Sequence, residues 1–262
     1  MSHTAGIDIG SITAKAAVMR DGRLLGTRVI FTGYNSEAAG RRVFEELLGE
    51  LGLTAAAIGG IVATGYGRKS VTIADKALTE IMCHAAGAHY LDPSVRSLID
   101  IGGQDSKAVA LDENGRVTNF TMNDKCAAGT GRFLEVMARA LEADLDEFGA
   151  LSLKAEQPAQ ISSLCTVFAE SEVISLIAKG EKRENIIAGI HAAIASRVSA
   201  MASRIGLAAP VMMTGGVARN IGVVRALEKA IGMPVIVLPY AQVNGAIGAA
   251  CLAGRQGGVN HA

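Results

Sequence analysis

An internal repeat is the feature of this sequence that most narrows the folds open to it. Residues 6–23 read GIDIGSITAKAAVMRDGR, and residues 99–116 read IDIGGQDSKAVALDENGR. Each copy contains an apolar stretch, a glycine-containing turn, a second apolar stretch and an Asp-Gly or Asn-Gly pair of the kind that closes β-hairpins. Equivalent positions in the two copies are Asp8 and Asp100, Gly10 and Gly102, and Lys15 and Lys107. Such a repeat predicts an α/β protein built from two related lobes.

The stretches outside the repeat predict the remaining elements. Apolar residues at three- and four-residue steps predict helices over 36–51 and 184–205, and a last helix is expected over 244–254. Strands are expected over 58–64 and 234–238. We interpret MTGGVARN, at 213–220, as a third and short copy of the turn.

The repeat also predicts where the lobes begin and end. We place the first lobe at 1–96 and the second at 97–242, and the helix at about 243–256 is expected to pack back on the first lobe. No change in composition marks a linker, so the lobes are expected to meet closely and to flex about a hinge. The last residues, RQGGVNHA at 255–262, are expected to form an unstructured tail.

Charge and composition argue against several classes of partner. The 262 residues carry 25 Lys and Arg against 25 Asp and Glu, so no net positive charge attracts nucleic acid or an anionic membrane. Residues 1–10 do not resemble a signal peptide, and no apolar run approaches the roughly 20 residues of a membrane span. Four cysteines lie far apart, which favours metal binding, catalysis or burial over disulfides. We therefore expect a cytoplasmic protein.

The two repeated turns have the composition of phosphate-binding loops. Glycine lets the backbone approach a phosphate closely, and successive N–H groups form a concavity that binds anions. Ser11 adds a hydroxyl donor and Lys15 a positive charge, whereas Asp8 and Asp100 are suited to holding Mg²⁺ through waters. Gln104 is placed to orient a water or to contact the γ-phosphate. The residues expected to contact phosphate are Ser11, Ile12, Thr13, Ala14, Lys15, Gly102, Gly103 and Gln104.

A glycine pair completes the predicted nucleotide site. Gly215-Gly216 would let the backbone pass close to adenosine, with Asn220 and Gln242 available for polar contacts. One such turn alone could be no more than a tight hairpin, but two in register plus a Gly-Gly pair favour nucleotide binding. Together, the two repeated turns and the Gly-Gly pair resemble those of the actin, sugar kinase and Hsp70 ATPase superfamily. This resemblance implies a two-lobed α/β fold of duplicated, ribonuclease H-like domains that close on ATP.

Two of the cysteines differ from the others in their surroundings. Cys126 and Cys165 each follow polar residues and precede a long apolar-rich segment, which predicts a helix start, where a thiolate or an anionic cluster is stabilised. Cys83 and Cys251 lie in Ala- and Gly-rich apolar stretches and are expected to be buried. Two thiols are half of what a [4Fe–4S] cluster needs, so a homodimer could hold one cluster on its symmetry axis. Zinc, a redox disulfide and inert thiols remain alternatives.

Four further motifs make the resemblance more specific. NDKCAAGTGRF, CTVFAESEV, ATGYGR and IDIGGQD together resemble the activator ATPases of 2-hydroxyacyl-CoA dehydratases, in a wider family with benzoyl-CoA reductase ATPase subunits. This resemblance implies a homodimeric ATPase with one bridging [4Fe–4S] cluster held by Cys126 and Cys165. It also implies reduction by a ferredoxin or flavodoxin and ATP-driven transfer of one electron to a dehydratase component. The turn at 65–68 has no role that the sequence defines.

Other functions on the same fold stay open at the level of the sequence. The chain could be one ATPase subunit of a benzoyl-CoA reductase-type complex, a small-molecule kinase, or a nucleotide-gated binding module, since fold alone does not fix function. His84 and His191 lie in apolar helical stretches and are expected to be core residues rather than ligands.

Overall fold

A computed structural model describes residues 3–162 and 165–254. The tail expected at 255–262 lies outside the described residues. In chain order the strands are β1 (His3–Ile9), β2 (Thr13–Arg20), β3 (Arg23–Phe31), β4 (Ile58–Thr64), β5 (Lys76–Ala77), β6 (Ser97–Ile101), β7 (Ser106–Leu111), β8 (Val117–Asn123), β9 (Val211–Thr214) and β10 (Val235–Ile236). The helices are α1 (Ser36–Leu51), α2 (Glu80–Leu91), α3 (Gly131–Ala140), α4 (Leu145–Ser152), α5 (Thr166–Ala178), α6 (Arg183–Ala202), α7 (Ile221–Ile231) and α8 (Asn244–Gly254).

The chain divides into two compact units. Unit 1 comprises Met1–Val95, Leu111–Thr118 and Gln242–Ala262, and unit 2 comprises Arg96–Ala110 and Asn119–Ala241. The sheet of unit 1 has the strand order β3-β2-β1-β4-β5. The second sheet has the order β8-β7-β6-β9-β10, which repeats the first order strand for strand. In each, the first two strands of the repeat are antiparallel and the fourth strand lies parallel to the first.

Helix α1 illustrates how the sequence forms an element of unit 1. Asn35 caps its N-terminus by accepting a hydrogen bond from the N–H of Ala38 at 3.0 Å, and the helix ends where Gly52 takes the left-handed conformation. Its apolar face, which includes Val43 and Leu47, is buried in a core shared with the inner side chains of β1 and β2. The helix predicted over 36–51 is therefore confirmed.

Helix α8 packs closely on β1 and α2 in unit 1. Gly6 of β1 and Gly248 of α8 leave no space for a Cβ, because backbone atoms of the facing element lie in that position. Helix α8 covers 244–254, the range expected for the last helix. The strand expected over 234–238 is shorter, since β10 contains only two residues.

Helix α6 is the central helix of the unit 2 core. Its buried face carries Ile187, Ile190, Ile194 and Val198, and a 3₁₀ turn at Ser203–Ile205 extends it to the predicted end. The stretch Arg183–Ile205 is long enough to cross a membrane and contains an 18-residue window with a mean hydropathy of 1.4, but 56% of that window is buried. Burial against the core of unit 2 accounts for its apolar character.

Candidate functional site

The two repeated turns have the same backbone closure. In turn 1 (Gly10–Thr13), the N–H of Gly10 donates to the carbonyl of Thr13 at 3.0 Å, and in turn 2 (Gly102–Asp105) the N–H of Gly102 donates to Asp105 at 2.9 Å. Ser11 and Ile12 lie half-buried at the tip of turn 1, and Thr13, Ala14 and Lys15 begin β2. Gly103 is half-buried in turn 2, and Gln104 is exposed there. Turn 1 follows β1, which ends one residue after Asp8, and turn 2 follows β6, which ends one residue after Asp100.

Each aspartate forms an ion pair with the lysine opposite it on the next strand. The Nζ of Lys15 lies 3.2 Å from Oδ2 of Asp8, and the Nζ of Lys107 lies 3.3 Å from Oδ2 of Asp100. The second pair is almost fully buried, and Lys107 also contacts Asp105 at 2.7 Å. The repeat aligned Lys107 with Lys15, but the sequence interpretation did not give Lys107 a role in the site. Both carboxylates are thus fixed in position at one end of their sheet.

In each sheet a glycine directly follows the strand that is parallel to the aspartate's strand, and this glycine packs against the aspartate. Thr64 pairs in register with Asp8, and Thr214 pairs with Asp100, each immediately before a glycine. Gly65 and Gly215 have φ values of +91° and +90°, which L side chains rarely adopt. A Cβ on Gly65 would collide with Asp8 and the backbone of Ile9, and one on Gly215 would collide with the carbonyl of Ile101.

The equivalence of Gly65 and Gly215 corrects the prediction for MTGGVARN and gives the turn at 65–68 a structural role. MTGGVARN is not a third copy of the phosphate turn, because it follows a parallel strand and leads into a 3₁₀ turn and α7 rather than a hairpin. Its counterpart is the turn at 65–68. There the N–H of Gly67 donates to the carbonyl of Ile9 at 2.9 Å, so this turn supports the backbone that enters turn 1. The sequence contained the signal as the pairs Thr64-Gly65 and Thr214-Gly215.

The remaining predicted nucleotide residues have different surroundings. Gly216 is exposed, and the position of a Cβ there is open space. Asn220 caps α7, since its Oδ1 accepts from the N–H of Val223 at 3.1 Å. Gln242 lies half-buried in the 3₁₀ turn Ala241–Val243.

Turn 2 is hydrogen-bonded directly to the start of α3. The N–H of Gly131 donates to the carbonyl of Gly102 at 2.9 Å, and the N–H of Arg132 donates to Gly103 at 2.8 Å. These are N–H groups of the first helical turn, which have no partner within the helix. Turn 2 therefore caps the helix that follows Cys126, a contact that the sequence analysis did not predict.

The structure corrects the environment predicted for Cys126. Helix α3 begins at Gly131 rather than at the cysteine, because Gly129 has a φ of +87° and Thr130 closes a turn onto the carbonyl of Ala127. Cys126 lies half-buried in the preceding loop and packs against the core of unit 2. Its carbonyl accepts a hydrogen bond from Nδ2 of Asn123 at 2.8 Å.

Cys165 occupies the helix start that the sequence predicted. It is the N-cap residue of α5 and is exposed. Cys83 is fully buried, and burial raises the pKa of its thiol to about 12, whereas Cys251 is half-buried against Met19. Across residues 3–162 and 165–254, no three His, Cys, Asp or Glu side chains gather as a metal site. Cys126 and Cys165 fit a cluster as two thiolate donors, which is half of the set that a [4Fe–4S] cluster requires.

Comparison with known proteins establishes the family. Residues 5–253 match the model of the BadF/BadG/BcrA/BcrD ATPase family. The chain belongs to this ATPase family. The resemblance stated from the sequence motifs is confirmed, and the protein is an ATPase.

Two relatives named as activators match nearly the whole chain. It is 48% identical over 252 residues to the 2-hydroxyisocaproyl-CoA dehydratase activator of Clostridioides difficile, covering 96% of this chain and 94% of the relative. It is 50% identical over 252 residues to the activator of lactoyl-CoA dehydratase of Anaerotignum propionicum, covering 96% and 97% of the two chains.

Solved structures confirm the predicted fold. Component A of (R)-2-hydroxyglutaryl-CoA dehydratase from Acidaminococcus fermentans has a TM-score of 0.95 and 46% identity, covering 98% of this chain and 99% of its own. The 2-hydroxyisocaproyl-CoA dehydratase activator from Clostridium difficile with bound ADPNP has a TM-score of 0.92 and 46% identity, covering 99% of both chains. A ROK family glucokinase from Streptomyces griseus shares the fold at a TM-score of 0.62 and 15% identity, covering 97% and 100%. The architecture is the two-lobed ATPase fold of the sugar kinases.

Proposed function

We propose that this ATPase is an electron-transfer activator of a 2-hydroxyacyl-CoA dehydratase. Relatives with about half of their residues identical to this chain are named as activators of such dehydratases. Under this proposal, ATP hydrolysis drives one strongly reducing electron into the dehydratase component. A cytoplasmic ferredoxin or flavodoxin supplies that electron.

The observation that carries the proposal is the pair of hydrogen bonds between turn 2 and α3. The carbonyls of Gly102 and Gly103 accept from the first N–H groups of α3, and Cys126 lies in the loop that leads into this helix. A change at turn 2 when phosphate binds or leaves therefore acts directly on the helix start next to a candidate cluster ligand. A sugar kinase needs an acceptor hydroxyl and a base beside its nucleotide, and its chemistry includes no cluster to which the nucleotide must be connected.

We assign nucleotide binding to the residues that the sequence predicted. Asp8 and Asp100 hold the Mg²⁺–phosphate group through waters, and Gln104 orients the attacking water. Ser11 to Lys15 of turn 1 and β2, together with Gly102 and Gly103, contact the phosphates. Gly215, Gly216, Asn220 and Gln242 lie near the adenosine. In the structure the amide oxygen of Asn220 caps α7, and its Nδ2 lies 3.4 Å from Nε2 of His191.

We assign the bridging cluster to Cys126 and Cys165 of two chains. When bound, a [4Fe–4S] cluster supplies reversible one-electron transfer. Each chain provides two thiolates, so a homodimer completes the four ligands. The half-buried loop around Cys126 fixes one donor, and the N-terminus of α5 stabilises negative charge at the other.

Helix α5 offers an apolar surface for this homodimer. Val167 and Phe168 are each 66% exposed, and Ile174 and Ile177 are also exposed on this helix. Exposed apolar patches of this kind mark protein interaction sites. Since Cys165 caps the same helix, pairing of two α5 helices would bring the candidate ligands of two chains to one interface.

The proposal is tested by anaerobic purification with iron and sulfide analysis. We expect four irons and four sulfides per two chains, and ATP-dependent activation of a 2-hydroxyacyl-CoA dehydratase in the presence of a one-electron donor. Cys126→Ser and Cys165→Ser should each lose iron, whereas Cys83→Ala and Cys251→Ala serve as controls that retain it. Four irons in an isolated single chain would contradict the bridging arrangement. A wild-type protein that hydrolyses ATP but contains no iron after anaerobic purification would contradict the electron-transfer role.

A further inference from the structure

Strand β8 is an edge strand that lacks the usual protection against pairing. In the described part of the chain its one sheet neighbour is β7, and its sequence VTNFTMN contains no charged residue and no proline. Phe120 and Met122 of this strand are exposed. Natural proteins normally place charges, prolines or bulges on such edges, because the unpaired backbone groups can bind another strand.

The duplicated unit provides an internal comparison. The equivalent edge strand of the other sheet is β3, which carries Arg23 and Arg28. Arg28 forms ion pairs with Glu46 and Glu50 of α1 at 3.0 Å and 2.8 Å. One edge is therefore protected by charge and the other is not, although both descend from the same repeat. This difference leaves the backbone edge of β8 without the charge protection that β3 has.

A groove lies between β8 and α6. A cavity of about 720 Å³ is lined on one side by Thr121 and Met122 of β8 and on the other by α6. The lining residues of α6 are small at successive turns, including Ala192, Ser196 and Ala200. Small side chains leave the space that an added backbone needs. Grooves between an edge strand and a helix bind extended peptides in several domain families.

Arg197 of α6 and Arg204 of the 3₁₀ turn that extends this helix give the groove a positive charge. Arg197 is half-buried and Arg204 is exposed, and both line the cavity. Among residues 3–162 and 165–254, neither guanidinium forms an ion pair. Seven residues along a helix separate the two by about 10 Å. Acidic side chains on one face of an extended peptide recur at about 7 Å and 13 Å, within reach of two flexible arginines.

We propose that this groove binds an extended acidic segment of a partner protein, which adds as a further strand beside β8. Backbone hydrogen bonds to β8 supply affinity, and carboxylates paired with Arg197 and Arg204 supply specificity. The charge argues against a second copy of β8 as the occupant, because an uncharged strand would bury Arg197 without an anionic partner.

The groove also reaches the loop of Cys126. Asn123 and Gly129 line the same cavity, and the Cδ of Arg197 lies beside Gly129. Asn123 donates a hydrogen bond to the carbonyl of Cys126. A bound segment therefore contacts residues on both sides of this cysteine, whatever the cysteine binds.

The test uses a fluorescently labelled synthetic peptide that alternates glutamate with valine and threonine. Anisotropy should report binding to the full-length protein that weakens as salt rises, and the glutamine version of the peptide should bind at least about tenfold more weakly. Arg204→Gln alone and with Arg197→Gln should weaken glutamate-peptide binding by a similar factor or more. Arg183→Gln, on the same helix but outside the groove, is the matched control and should change little.

Hydrogen exchange locates the bound peptide. Peptide binding should slow exchange of the amides over 119–123, because strand addition uses their backbone groups. Equal binding by Arg204→Gln, the double variant and the wild type would overturn the proposal, and so would protection that maps elsewhere. Protection of 119–123 that grows with protein concentration in the absence of peptide would assign the groove to a second copy and would also overturn it.

Discussion

At the scale of single residues, His191 gives the clearest pH dependence. It is 1% exposed, its ring lies 5.5 Å edge-on to Phe148, and burial lowers its pKa from 6.5 to about 4. A folded-state pKa below the unfolded value means that the unfolded chain binds the proton first. The stability contributed by neutral His191 is therefore complete above pH 6.5 and is lost as the pH falls towards 4, by about 3 kcal/mol in total.

Denaturant unfolding at a series of pH values measures this effect. The decline in unfolding free energy between pH 6.5 and pH 4 should be smaller in His191→Gln, which keeps a polar side chain but does not titrate. An NMR titration in which His191 of the folded protein protonates near pH 6.5 would contradict the prediction. The result bears on the site because Nε2 of His191 contacts Asn220, the cap of α7, at 3.4 Å.

The two aspartates should respond differently to the same substitution. Asp8→Asn and Asp100→Asn should each lower ATP turnover at least about tenfold, or 1.4 kcal/mol of barrier, if both hold the Mg²⁺–phosphate group. Asp100→Asn should also lower the unfolding free energy by about 1–3 kcal/mol more, because it removes one carboxylate from the buried Lys107. Asp8→Asn should cost less unfolding free energy, because the Lys15 side chain is 13% exposed and can be hydrated. Unchanged turnover in both variants would show that the nucleotide lies elsewhere.

At the scale of elements, the contact between turn 2 and α3 can be removed without breaking the helix. Gly131 is the first helical residue, where proline is favoured, and proline lacks the N–H that donates to Gly102. Gly131→Pro should therefore weaken the response of the loop containing Cys126 to a non-hydrolysable ATP analogue, measured by hydrogen exchange over 126–130. Gly131→Ala is the matched control, since it adds a Cβ but keeps the N–H. An equal response in the two variants would mean that another contact carries the coupling.

The elements also show which information the sequence contained. The repeat predicted two successive strands joined by a glycine-containing turn in each lobe, because hairpin and turn residues act locally. The cap residues of α1 likewise lie next to the ends of that helix in the chain. The contacts of Gly65 and Gly215 were not predicted, because each meets an aspartate from a distant segment and only three-dimensional proximity reveals it. The start of α3 was misplaced for a related reason. The apolar pattern after Cys126 is helical, but the left-handed Gly129 and the bonds to turn 2 move the helix start to Gly131.

At the scale of the whole molecule, duplication explains why the two units share a strand order, an Asp–Lys pair and a glycine-containing turn. Both sheets keep the strand order and the Asp–Lys pair of the repeat, which are the features that turn 1 and turn 2 require. The segments outside the repeat have diverged. Helices α3 to α6 separate β8 from β9 in unit 2, whereas α1 alone separates β3 from β4 in unit 1. Cys126 precedes the first of these additional helices and Cys165 caps α5, so both candidate cluster ligands lie in the diverged segments.

Assembly of two chains should depend on the apolar surface of α5. Phe168→Glu places a carboxylate in the proposed interface, and burying it without a partner should weaken dimerisation by about 3 kcal/mol, or more than a hundredfold. Light scattering should then report single chains under conditions where the wild type is dimeric, and bound iron should fall in parallel, because each chain retains only two thiolates. Phe31→Glu is the matched control, since Phe31 is 81% exposed but belongs to β3 of unit 1 rather than to α5. A Phe168→Glu protein that stays dimeric and keeps its iron would show that the two chains associate through a different surface.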